Sequence, residues 1–140
     1  MRKSIIAILM TFCLSIMTYA QTPRDRATEL KEQAQSSLNQ KDYIKARYLF
    51  KKAYEAFATR ENYPQAIECG VQANALYVRE NFYKEGFELC RDMDQLIWAG
   101  EQNQKKVFYD LRFLVNKERL QMYTALKNPA QAKTQLNKLE

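Results

Sequence analysis

Two pairs of side chains, Lys31 with Gln35 and Lys117 with Gln121, place a cation and an amide four residues apart. On a helix such a pair can hold a carboxylate, the lysine by charge and the amide by donating a hydrogen bond. Two ordinary solvated pairs would be spelled the same way. Glu85, Glu88 and Asp92 follow one another at three and four, so they share one helix face, as an acid pair or a metal site would require. Lys84 and Arg91 lie within reach, and the chain contains no histidine, which removes the usual general base and the commonest zinc ligand. The three acids therefore read as a solvated face. Binding rather than catalysis is expected, with no catalytic residue, cofactor or metal.

The elements that would position these groups are helices. Gly and Pro number only three each in 140 residues, too few for the turns of an all-β chain, and 46% hydrophobic content suits one domain with a real core. Apolar and small residues recur at three and four through Ala27, Leu30, Ala34 and Leu38, which predicts a first helix from Pro23 to Asn39. Asp42 caps a second with Ala46, Leu49, Phe50, Ala53 and Phe57 along one side. Asn62 and Pro64 open a third, carrying Ile67, Val71, Asn74 and Tyr77 or Val78. Asn81 opens a fourth, through Gly86, Leu89, Cys90, Met93 and Ile97, that Gly100 ends. A fifth runs from about Gln102 to Lys127 through Val107, Leu111, Leu114 and Met122, and Asn128 with Pro129 opens a sixth. Connections this short make antiparallel hairpins. Close crossings need small residues, which pairs Ala34 with Ala46, Asn74 with Gly86 and Leu120 with Ala132. Tyr48, Tyr54 and Phe57 are expected to pack against a neighbouring hairpin.

The first 20 residues read differently. Arg2 and Lys3 precede an apolar run from Ile5, and Thr18 and Ala20 stand before a polar QTPRDR, the layout of a secretory signal peptide cleaved after Ala20. The 16 residues from Ile5 to Ala20 fall short of the roughly 20 that a spanning helix needs. Cys13 leaves with the leader. Its removal lowers the formal charge from +6 to +4, with 20 basic residues scattered among 16 acidic ones, which gives no stripe for nucleic acid. Export to the periplasm or cell envelope is expected.

Residues Tyr43, Ala46, Phe50 and Ala53, with Ala34 before them, resemble the tetratricopeptide repeat family, an α-solenoid of helix-turn-helix units. Tyr77, Tyr83, Gly86 and Cys90 continue the pattern in a second unit, and Tyr123, Ala132 and Leu136 in a third. Ser37, Asn74, Met93, Leu120 and Leu139 depart from it, and Ala46, Gly86 and Ala132 lie 40 and 46 residues apart rather than the family's standard ~34, so the chain looks like a long-helix, degenerate branch. The resemblance implies an all-α superhelix of about three antiparallel hairpins over residues 21–140, whose apolar pattern runs on to the last residue as if a longer array followed.

The resemblance also implies a function. The first helix of each unit lines a groove that takes a protein or peptide segment. The corresponding groove residues here include Lys31, Gln35 and Asn39, then Val71 and Arg79, then Lys117 and Gln121. Cys69 and Cys90 fall on neighbouring antiparallel helices of one unit, where a disulfide is conceivable in an oxidising compartment. Two partnerships follow: a free exported scaffold, or the sensory amino-terminal module of a membrane-anchored histidine kinase or transcriptional regulator, similar to repeat regions of Bacteroidetes signalling proteins. Contact with a membrane would come only through a part beyond Glu140.

Overall fold

The computed structural model describes residues 25–126 and residue 130, all-helical wherever they are regular. Five helices follow in order: α1 Arg26–Asn39, α2 Tyr43–Thr59, α3 Tyr63–Arg79, α4 Tyr83–Gln104 and α5 Tyr109–Ala125. The expected signal peptide, Pro23, Ala132 and the remainder of the expected sixth helix lie outside the described residues.

The first three connections are one device used three times. Lys41, Glu61 and Asn81 adopt left-handed backbone with φ of 61°, 57° and 62°, and they stand 20 residues apart. In each turn the following amide reaches back to the preceding helix, Asp42 to the Ser37 carbonyl at 2.9 Å, Asn62 to Phe57 at 3.0 Å and Phe82 to Tyr77 at 2.9 Å. The left-handed residue's own amide bonds three residues back, to Leu38, Ala58 and Val78. This double closure is the Schellman ending, which satisfies the last carbonyls of one helix while aiming the chain into the next. Asp42 and Asn62 then cap the new helices through Lys45 and Gln65 amides, as their residue types direct. The first residues of the new helices are Tyr43, Tyr63 and Tyr83. Ala46, Ala66 and Gly86, three residues on, are buried.

Helices α1, α2, α3 and α4 pack successively as antiparallel neighbours, and α5 packs on both α4 and α3. The result is a stack of helix hairpins, consistent with a helical hairpin superhelix. Phe50, Ile67, Met93, Ile97, Val115 and Met122 fill its centre with almost no exposure. Asn74 does face Gly86, where an added Cβ would stand 3.1 Å from the Asn74 Oδ1.

Four expectations need correction. Asn81 does not open α4: it is the left-handed residue of the preceding turn, and the helix begins at Tyr83 after Phe82, which makes no side-chain cap bond. Helix α1 begins at Arg26, with Asp25 as its cap accepting from the Ala27 amide, rather than at Pro23. Gly100 does not end α4, which continues to Gln104 and stops at Lys105, itself left-handed at φ 49°. Glycine stands at position 100 because the helix passes close to two rings: a Cβ there would lie 2.8 Å from Phe108 and 2.9 Å from Tyr63. The fifth helix starts at Tyr109, so its buried stripe is Val115, Glu118 and Met122, while Val107 lies outside it and is 44% exposed. Leu111 and Leu114 pack only at the edge of the core.

Candidate protein-binding surface

Side-chain ties join the odd-numbered helices into one layer. The Lys31 ammonium of α1 donates to Glu68 Oε2 and Gln65 Oε1 of α3, both at 2.8 Å. Asn74 of α3 donates to Glu118 Oε2 of α5 at 3.2 Å inside the core. Of the expected groove residues, Gln35 and Asn39 of α1, Arg79 of α3, and Lys117 and Gln121 of α5 are exposed, while Val71 is half-buried against the core. The exposed Ala75 lies between Val71 and Arg79 along α3.

The two lysine–amide pairs are not equivalent. Lys31 spends its charge on Glu68, and Gln35 donates its amide to Asn39 Oδ1 at 3.1 Å, so the first pair does not present a joint carboxylate site. Lys117 and Gln121 both stay exposed on α5. Arg79 places its guanidinium 3.8 Å from the centre of the Tyr43 ring, a stacking that holds the cation on the surface without neutralising it. The exposed cations of the layer thus include Arg79 on α3, the helix that also carries the apolar Val71 and Ala75, and Lys117 on α5.

Glu85, Glu88 and Asp92 are exposed on α4, and among the described residues no group of three acids, cysteines or histidines is placed to hold a metal ion. Cys69 and Cys90 are free thiols, both buried, and the bridge considered between them is not formed. They sit in different surroundings. Burial pushes Cys69 up to about 11, with Lys31 and Glu68 as the nearby charges, and Cys90 up to about 12, with Arg119, Glu118 and Asp94 near it. One thiol neighbours α1 and the other α5. Among the described residues no helix is long and apolar enough to cross a membrane.

Several contacts that shape the layer lie between residues far apart in sequence and carry no local signal. Arg47 of α2 pairs with Glu80, and its guanidinium lies over Tyr77 at 4.9 Å and Phe82 at 5.1 Å, clasping the turn between α3 and α4. Glu101, 7% exposed near the end of α4, accepts from the Phe108 amide at 2.8 Å and pairs with Arg112, which fixes the start of α5 where Phe108 offers no capping side chain. Arg112 beside it holds the Glu101 carboxyl below the usual range against the opposing effect of desolvation. Arg119 likewise ties α5 to Asp94 and to the Cys90 carbonyl of α4.

Two other surfaces are open. A cleft of about 430 Å³ between α1 and α2 is lined by Arg26, Leu30, Tyr48, Leu49, Lys52 and Ala56 among others. Tyr48 belongs to this cleft and is 60% exposed, whereas Tyr54 and Phe57 pack inside as expected. Trp98 of α4 and Tyr109 and Phe113 of α5 are also exposed. Compared with known proteins, the chain matches no family model, no curated protein and no solved structure.

Proposed function

We propose that the chain is an exported scaffold, similar to a tetratricopeptide repeat array, that binds a protein or peptide segment along the layer of α1, α3 and α5. One observation carries the reading: the ties at Lys31–Glu68 and Asn74–Glu118 align three helices so that Gln35, Asn39, Val71, Ala75, Arg79, Lys117 and Gln121 belong to one layer. Rigid packing beneath an adaptable polar surface limits the entropy lost on binding. With Lys31 already paired, Arg79 and Lys117 favour a segment bearing acidic side chains, whose carboxylate Lys117 and Gln121 can hold together. The same surface would serve a free scaffold or the sensory module of a larger signalling protein.

The cleft between α1 and α2 supports a second reading, because Leu30, Leu49 and the exposed Tyr48 give it an apolar floor and an aromatic wall. A single experiment separates the two. Peptides selected by display against the mature protein are titrated against Ala75→Trp, Lys117→Glu, Tyr48→Ala and the control Glu88→Lys. Loss of about tenfold or more at Ala75 and Lys117, with Tyr48 and Glu88 neutral, is the expected result and corresponds to roughly 1.4 kcal/mol. Loss at Tyr48 alone would move the site to the cleft.

A further inference from the structure

The contact between α3 and α5 includes two polar side chains inside an apolar core. Asn74 is fully buried and Glu118 is 5% exposed. The Asn74 Nδ2 group donates to Glu118 Oε2 at 3.2 Å, yet its Oδ1 receives no hydrogen bond from any described residue. A buried acceptor left in this state is unfavourable, and an ionised carboxylate, which only accepts, has nothing to give it. A protonated carboxyl does. The two oxygens of a carboxyl group are spaced much as the nitrogen and oxygen of an amide, so Nδ2–H can meet one carboxyl oxygen while the carboxyl O–H donates to Oδ1.

We propose that Glu118 and Asn74 form a proton-operated latch: protonated, the carboxyl closes a two-bond pair that holds α5 against α3, and ionised, it opens that contact and frees the part of the layer carrying Lys117 and Gln121. The surroundings support it. Burial pushes the Glu118 carboxyl above its ordinary range, and the Asn74 hydrogen bond and the Lys117 charge only partly offset this. From α3 the group faced is the uncharged Asn74; from α4 it is the Cys90 thiol, with Asp94 beyond it paired to Arg119 of α5. No strong cation is paired with Glu118 itself among these.

The folded state binds this proton more tightly than the unfolded chain. The latch's contribution is therefore complete below the ordinary glutamate range and is lost as pH rises through the raised folded value, with a limiting slope of about tenfold in the contact's equilibrium constant per pH unit for one proton. The latch would regulate the layer proposed above, but its test uses no ligand, so it can fail while the layer stands.

Amide hydrogen exchange of the mature protein between pH 5 and pH 8, corrected for intrinsic rates, is the experiment, comparing Val115 to Met122 with Leu49 to Phe57. In the wild type, protection of the α5 segment should fall with pH by up to about tenfold per unit while α2 stays level. In E118Q the neutral amide can accept from Nδ2 and donate to Oδ1, so protection should be level and at pH 8 exceed the wild type. A level wild-type profile, a slope that persists in E118Q, or an E118Q protein that does not fold overturns the latch. Direct carboxyl carbon titration of Glu118 is independent of any variant: a midpoint above the ordinary value of about 4.3 is expected, and one at or below it contradicts the proposal.

Discussion

Replacing Gly100 by alanine sets two effects of known size against each other. Position 100 lies inside α4, and in an ordinary helix interior alanine is better than glycine by about 0.5–1 kcal/mol. Here the new methyl would stand 2.8 Å from a Phe108 ring carbon and 2.9 Å from two carbons of Tyr63. Neither ring is free to withdraw. Tyr63 is 2% exposed, its hydroxyl accepts from Asn103 at 3.3 Å, and the two rings already contact each other with centres 5.6 Å apart. Overpacking of this kind typically costs about 1–3 kcal/mol, so the net destabilisation of Gly100→Ala should be about 1–2 kcal/mol. In a domain near 100 residues that lowers Tm by about 5–10 °C. Urea unfolding followed by far-ultraviolet circular dichroism gives the free energy. A variant as stable as the wild type, or more so, would show that α4 does not pass this close to α3 and the start of α5.

The opposite sign is expected at the turns, where Lys41→Gly and Glu61→Gly relieve left-handed backbone and should each stabilise by about 0.5–1 kcal/mol in the same unfolding assay. Glu101 has its carboxyl held below the usual range, so its stabilisation is present above the ordinary glutamate value and is lost as pH falls through the folded one. Glu101→Gln should lose about 1–2 kcal/mol at neutral pH and flatten the acid limb of the stability profile, an effect tempered by the half-exposed Arg112. Cys69 and Cys90, buried and pushed up to about 11 and about 12, should react with a thiol reagent only after denaturation. Intact-mass measurement on protein from the native host should begin the chain at Gln21; retention of Met1 to Ala20 would contradict the leader.

Local chemistry made much of the fold legible. Asp42 and Asn62 behave as caps because capping depends on neighbours within a turn, and Ala46 and Gly86, expected at close crossings, are buried. The Schellman turns were hidden because Lys41 and Glu61 adopt a conformation that their side chains do not advertise. Gly100 was misleading for the converse reason: a glycine required by ring contacts looks like a glycine that ends a helix. The start of α5 depends on Glu101 reaching Phe108 and Arg112, a tertiary arrangement that periodicity does not record, and the stripe of buried residues shifted with it. The candidate surface was legible as a set of positions. Its chemistry was not, since Lys31 meets Glu68 from another helix and Arg79 meets Tyr43.

Backbone amide chemical shifts during titration with a selected acidic peptide will show whether α1, α3 and α5 act as the one binding layer proposed. Perturbations should concentrate on Gln35, Asn39, Val71, Ala75, Arg79, Lys117 and Gln121, with Glu88 and Asp92 silent. Perturbations confined to Arg26, Tyr48 and Lys52, or to Trp98, Tyr109 and Phe113, would place the site elsewhere and rule out the layer.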